Sequence, residues 1–355
     1  MSASQVESEK DIPVNQIVLV LAIFIFVRPA IAQSHVIIDT DPGVDDAMAI
    51  LLALNSPELK LEALTVVPGN VDSQLGTENA LKIVSLANRC DIPVARGAHQ
   101  PLNQKLITAQ YWHGKNGLAD VELPPAKCKA DPHFGPDLII EMIHKFPHQI
   151  TLIPVGPLTN IALAVSKDPS LVGLVKNVVI MGGSISGGNV DGAAEANIYN
   201  DPEAASIVFN AGWMVTMIGS DVGERTLMTR KYLSDLQSQH GPESDFVAKL
   251  ADFYLTRSEK SGYQGAAMYD PLAVGTVIDP TLVTLKDMHL DVETRGEFTR
   301  GETVANRMGY DEQNVLHGDH YEIDGLTPLK PNARVCLASD AGRFLQLFIS
   351  SIKGK

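Results

Sequence analysis

Short apolar runs alternate along the chain with longer segments of helical periodicity. His35-Val36-Ile37-Ile38 reads as a strand buried on both faces, and the apolar stretch from Ala47 to Leu54 reads as a helix. Leu61 to Val67 forms a second strand pattern ending in Pro68-Gly69-Asn70, and Ser73 to Asn88 is amphipathic, with Leu75, Ala80, Ile83, Val84 and Ala87 for its inner face. Pro93-Val94-Ala95 is a short strand leading into a long loop, Gly97 to Phe134. Loops of that length in a compact domain are commonly functional, and this one carries Tyr111-Trp112-His113-Gly114-Lys115-Asn116-Gly117, a mixture suited to a ligand lid. A helix from Asp137 to Lys145, a strand from Ile150 to Val155 and a strand from Val178 to Met181 follow, then a glycine-rich loop to Asn200. Asp201-Pro202-Glu203 starts a helix, Met214 to Gly219 is another strand, and the pattern is helical from Arg230 to Tyr263. The C-terminal part is less readable. Repeated strand, loop and helix units predict an α/β fold: an open, mostly parallel sheet with helices on both faces and the active site at the C-terminal ends of the strands.

The junction between the first strand and first helix holds the most informative residues. Asp39-Thr40-Asp41-Pro42-Gly43-Val44-Asp45-Asp46 puts four carboxylates into eight positions. Like charges so close oppose ionisation, and a hard divalent cation relieves that cost while activating water. The structural alternative is that Asp45 or Asp46 caps the helix and Asp41 serves the Pro42-Gly43 turn. One cap and one turn residue leave two acids unexplained, so a metal site and hydrolytic chemistry are the better reading. Gly182-Gly183 and Gly187-Gly188 lack the lysine and hydroxyl residue of a phosphate loop. Their loop instead carries Asn189, Glu195 and Asn197, which suit several hydroxyl groups, although for any one of them alone a solvated surface position is the better reading.

Composition adds exclusions. The chain has 355 residues, 45% hydrophobic and 20% charged, with a net charge of −14, which speaks against nucleic acid or an anionic membrane as partner. Cys90, Cys128 and Cys336 share no metal-ligand or redox spacing, so a disulfide framework is not expected and the three read as packing residues. Residues 1–32 differ in kind. Ile17 to Val27 is apolar but short for a bilayer, and Ala30-Ile31-Ala32 offers small residues before Gln33. This predicts a signal-peptide-like or anchor segment, hence export to the periplasm or medium, with no stable span in the mature protein. The acidic Glu7, Glu9 and Asp11 around Lys10 fit a signal poorly, which leaves a cytoplasmic location open. Residues 33–355 are expected to form a single domain.

In order, the chain shows Asp39 to Asp46, Val67-Pro68-Gly69-Asn70, Ile153-Pro154-Val155-Gly156-Pro157-Leu158-Thr159-Asn160, Val179-Ile180-Met181-Gly182-Gly183, Glu195-Ala196-Asn197 through Asp201-Pro202-Glu203-Ala204-Ala205, and Asp270-Pro271. This ordered set resembles the inosine-uridine-preferring nucleoside hydrolase family from about His35 onwards. The resemblance implies Ca2+ held by Asp41, Asp46, Asp270 and the main-chain carbonyl of Val155, with Asp41 also the base that takes a proton from metal-bound water. It implies that Asp45, Asn70, Asn189, Glu195 and Asn197 hold the ribose hydroxyls, with Met181 beside the sugar. The expected reaction cleaves the N-glycosidic bond of a small-molecule ribonucleoside through an oxocarbenium-like transition state. A homodimer or homotetramer is the assembly the resemblance suggests.

Two departures bear on the base. The branch of the family acting broadly on inosine and uridine has a histidine directly before the last metal aspartate, whereas this chain has Tyr269. The branch preferring purine nucleosides has an aromatic there and a second in the lid loop, which Trp112 matches. These two aromatics point to purine nucleosides, with His113 as a remaining proton donor to the leaving base. Trp112 could instead only pack its loop and Tyr269 only bond a neighbour. A broad or uridine-preferring nucleosidase is the alternative within the enzyme class, and an exported, non-catalytic nucleoside- or ribose-binding protein the alternative outside it. Ala196, where relatives often carry phenylalanine, widens the pocket near the sugar's 5′ end.

Overall fold

Successive residues of the first strand, β1 (Ser34–Thr40), enter opposite sides of a sheet: Val36 and Ile38 join one buried cluster and Ile37 the other. The structure, a computed structural model, describes residues 33–305 and 329–352. The expected export segment therefore lies outside the described residues. β2 (Leu59–Val66), β3 (Val94–Arg96), β4 (Ile150–Pro154), β5 (Asn177–Met181) and β6 (Val215–Ile218) join β1 in the order β3-β2-β1-β4-β5-β6, all parallel. The strand Ala333–Ser339 extends the sheet parallel to β6, and Val283–Met288 closes it as an antiparallel edge, making eight strands among the described residues. The edge strand escaped the sequence pattern because Val-Thr-Leu-Lys-Asp-Met is only partly buried and lacks an apolar run.

One face of the sheet is covered by α1 (Val44–Asn55), α2 (Ser73–Leu86) and the helices Pro242–Lys260, Tyr269–Ile278 and Ala341–Ser351. The predicted lid loop contains only one short turn of helix, α3 (Gln110–His113). The helices α4 (Gly135–Lys145), Thr159–Lys167 and Pro202–Phe209 cover the opposite face. α1 is buried along almost its whole length, from Val44 to Ala53, as its continuous apolar sequence requires. No helix among the described residues is long and apolar enough to cross a membrane.

β1 is the point at which the strand order reverses. Connections leave it towards β2 on one side, while β4 flanks it on the other. Loops following β1 and β4 consequently part and leave a crevice, the usual ligand position in open parallel sheets. The four-carboxylate segment follows β1 and Val155 follows β4, so both line this crevice's base.

The cysteine expectation is corrected. Cys90 and Cys128 form a disulfide across 38 residues, while Cys336 is free and buried. The pairing depends on the outgoing end of the long loop returning alongside α2, where the Lys127 amide donates to Ser85 Oγ at 2.9 Å. Residue spacing carries no trace of that return. Closing a loop of this length stabilises by about 2–4 kcal/mol in the chain-entropy account. Reduction, or Cys128→Ser, is therefore expected to lower the thermal midpoint, as read by circular dichroism with and without reductant. An unchanged midpoint would show that the surrounding packing already holds the loop.

Candidate active site

Two helix N-termini meet at the crevice floor. α1 packs against the helix Tyr269–Ile278, and each carries acids in its first turn: Asp45 and Asp46 on α1, Asp270 on the other. Carboxylate oxygens of Asp45, Asp46 and Asp270 lie within 4.8 Å of one another, all three residues buried. Helix N-termini present free N–H groups and positive dipole ends, which offset part of the cost of collecting these charges.

Asp46 is held on every side. Its Oδ1 accepts from Thr40 Oγ1 at 2.5 Å and the Asp41 amide at 3.1 Å, and its Oδ2 from the Gly43 amide and Asn70 Nδ2, both at 2.9 Å. Asp41 is held on one side only: Oδ2 accepts from the Asn70 amide at 2.6 Å, while Oδ1 is buried without a partner. Its space is made by two glycines. A Cβ on Gly69 would stand 2.0 Å from Asp41 Oδ2, and one on Gly156 would stand 2.5 Å from Oδ1. Asp45 Oδ1 is likewise buried and unpartnered.

Burial raises every acid of this group above the ordinary carboxylate range, and neighbouring charges add to it at Asp41, Asp45 and Asp270. The Asp45 carboxyl is pushed up to about 8 by burial and then by the charge of Asp46. Asp41 is raised well above the carboxylate range by burial and then by the charge of Asp46, and Asp270 by burial and then by the charges of Asp45 and Asp46. Neighbouring Asp39 rises to about 7 through burial, although Asn160 Nδ2 and Thr65 Oγ1 both donate to its Oδ1. A cluster so unfavourable as bare carboxylates, with two orphaned buried oxygens and only oxygen donors, has the chemistry of a hard-cation site.

Above this floor stands a cavity of about 380 Å³. Of the residues singled out in the sequence, it is lined by Asp45, Asn70, Trp112, His113, Val155, Met181, Asn189, Glu195, Asn197, Tyr269 and Asp270. Asp41 and Asp46 are buried beside it and do not line it. Asp45 thus joins Asp46 and Asp270, two of the acids that the family resemblance assigns to the metal, in one tight carboxylate group, with the third, Asp41, buried beside the cavity. The Val155 carbonyl already accepts from Asn197 Nδ2 at 2.9 Å, and the same amide reaches the Met181 carbonyl at 3.2 Å. Glu195 caps the short helix Ala196–Asn200, its Oε2 accepting from the amides of Gly183, Asn197 and Ile198. Asn189 Oδ1 accepts from the Ala196 amide at 2.9 Å, anchoring the glycine-rich loop.

The lid aromatics are built into the wall. Trp112 is half-buried, edge-on to Tyr254 with centroids 6.1 Å apart, and the Arg257 guanidinium stands over its ring at 5.7 Å. His113 is buried, and its Nδ1 accepts from the Val44 amide at 3.1 Å. Burial, and then the charge of Arg257, lowers its pKa to about 3. The imidazole is neutral, so the 3.7 Å approach of Nδ1 to Asp45 Oδ1 is not an ion pair. Burial raises the Tyr269 hydroxyl far above its usual range, with the Asn189 side chain as its hydrogen-bond partner.

Tyr254, Ser258 and Glu224 also line the cavity and were not expected from the sequence. Tyr254 lies on the helix Pro242–Lys260, where an aromatic at helical spacing reads as core. Glu224 ends a short turn after β6 and belongs to no recognisable motif.

Among curated proteins, uridine nucleosidase 1 of Arabidopsis thaliana is 42% identical over 267 residues, covering 74% of this chain and 80% of its own. A purine-preferring ribonucleoside hydrolase from Gardnerella vaginalis superposes with a TM-score of 0.80 at 35% identity, over 90% of this chain and 98% of that one. A plant nucleoside hydrolase gives 0.82 at 35% identity, over 91% and 99%. The sequence profile described as inosine-uridine preferring nucleoside hydrolase matches residues 36–346, and the chain belongs to this family of ribonucleoside-cleaving hydrolases.

Proposed function

We propose that this hydrolase depends on calcium, prefers purine ribonucleosides and acts outside the cytoplasm. The observation that carries the metal reading is the convergence of Asp45, Asp46 and Asp270 within 4.8 Å beside the orphaned Oδ1 of Asp41. Asp41, Asp45, Asp46, Asp270 and the Val155 carbonyl are the groups available to hold the ion. When bound, calcium would neutralise the cluster and lower the pKa of a coordinated water.

The protein's own residues supply the rest. Asp41 would act as the base through Oδ1, which is free of hydrogen bonds, while the Asn70 amide holds the other oxygen. Positive charge developing on the ribose ring faces the buried carboxylates of Asp45 and Glu195, which burial prevents water from screening. Asn70, Asn189 and Asn197 are the amides available to the sugar hydroxyls, and Met181 supplies an apolar contact at the same wall. Tyr269 is a neutral phenol at pH 7 and so a poor acid, and its contribution to the leaving base is an aromatic face and one O–H. His113 retains only Nε2 as a donor, because Nδ1 is engaged as an acceptor.

Trp112 and Tyr269 on the cavity wall support the purine preference. The 42% identical uridine nucleosidase favours a second reading, in which uridine is cleaved as well. Reducing-sugar release from inosine, adenosine, guanosine, uridine and cytidine separates them. The purine reading expects kcat/KM at least about tenfold higher on the best purine than on uridine, a difference of about 1.4 kcal/mol. Equal or faster uridine cleavage would replace it with the second reading. Export is supported by the Cys90–Cys128 disulfide, a bond that persists in oxidising compartments.

A further inference from the structure

The buried acids form the cavity floor, and its outer wall carries one more carboxylate. Glu224 follows the short helical turn Ser220–Gly223 at the C-terminal end of β6, lines the cavity and is exposed at its mouth. Packing sets its position. A Cβ on Gly223 would stand 2.2 Å from Tyr269 Cδ1, so the Tyr269 ring lies against the backbone immediately before Glu224. After burial, the charge of Glu224 is the largest influence on the Tyr269 hydroxyl. The next residue, Arg225, is committed elsewhere, its Nε donating to the Asp221 carbonyl at 2.9 Å and its Nη2 to the Leu337 carbonyl at 3.1 Å. Among the described residues, the Glu224 carboxylate has no hydrogen-bond or ion-pair partner; Asp221 nearby adds negative charge, and the Arg225 charge offsets it only in part. Among the described residues, it is an acceptor in the ligand cavity without a donor.

We propose that Glu224 selects the base by accepting the N1–H of a 6-oxopurine whose ribose rests on the acid floor and whose ring lies along Tyr269. This deepens the nucleoside hydrolase reading and rests on it. The chemistry of the base edge gives the selectivity. Hypoxanthine and guanine carry an N–H at N1, remote from the glycosidic bond, and guanine adds a neighbouring amino donor that a carboxylate takes in parallel. Adenine has a lone pair at N1, which a carboxylate repels. A site built to accept an N–H discriminates strongly against a substrate lacking it, because its own polar group is then left unpaired. The expected order is guanosine and inosine ahead of adenosine.

The test compares kcat/KM for inosine, 1-methylinosine and adenosine in the full chain and in Glu224→Ala and Glu224→Gln variants, with p-nitrophenyl β-ribofuranoside as a substrate without a base edge. The native protein should prefer inosine over 1-methylinosine by about 10- to 100-fold, the range for a hydrogen bond to a charged group. Glu224→Ala should bring that ratio close to one. Glu224→Gln, whose amide can donate to adenine N1, should raise adenosine relative to inosine. An inosine to 1-methylinosine ratio unchanged by Glu224→Ala would overturn the assignment. So would a native protein that cleaves the nitrophenyl riboside yet favours adenosine, and the hydrolase reading would then stand. Absence of cleavage of every one of these substrates would instead bring down the hydrolase reading itself.

Discussion

Asp41→Asn is expected to lower kcat by about 10²- to 10⁴-fold, the usual contribution of a positioned general base. The reasoning is local. The substituted side chain can still accept from the Asn70 amide, as Asp41 Oδ2 does at 2.6 Å, so the turn keeps its anchor. What is lost is the ability of the second atom, now facing Gly156 without a partner, to take a proton. Stability should change little or rise, because a buried acid raised by its own burial and by Asp46 is replaced with a neutral group. Steady-state kinetics beside a thermal melt check both halves. A variant that loses activity and thermal midpoint in parallel would assign Asp41 to the architecture and not to the chemistry.

Gly156→Ala and Gly69→Ala should damage the same carboxylate without altering it chemically. Neither glycine has the left-handed backbone that a side chain would strain. Their added methyls would stand 2.5 Å from Asp41 Oδ1 and 2.0 Å from Oδ2, closer than any real Cβ contact. The carboxylate must turn or shift, and a displacement of about 1 Å at a reacting group costs about 10²-fold in rate. Gly156→Ala also meets Val67 Cγ1 at 2.8 Å, so some destabilisation accompanies it, of the order of 1–3 kcal/mol for overpacking. Circular dichroism should report an intact α/β fold in a protein of much reduced kcat. Near-native turnover in both variants would mean that Asp41 has room to spare and that its placement is not critical.

The floor of the site was the part most legible in the sequence. A four-acid cluster between a buried strand pattern and a helix can only fall at the C-terminal end of that strand, and the observed sheet order makes β1 the reversal point. The division of labour within the cluster was less legible. Asp45 groups with Asp46 and Asp270, because the turn at Gly43 and the packing of two helix N-termini aim the side chains, and a linear motif carries no aim. Glu224 and Tyr254 were invisible for a related reason. Each reaches the cavity from an element distant in sequence, and nothing around either residue differs from an ordinary surface acid or a core aromatic. The Cys90–Cys128 bond depends on how a long loop returns along α2, which cysteine spacing does not encode.

Chelation followed by calcium titration tests the central proposal most directly. Purified protein stripped with EDTA should release no ribose from inosine, and added calcium should restore turnover in proportion to the ion bound. Full turnover by the stripped protein would contradict a metal-dependent mechanism at Asp41, Asp45, Asp46 and Asp270. Folded, calcium-loaded protein that bound inosine without releasing ribose would contradict catalysis at this site altogether.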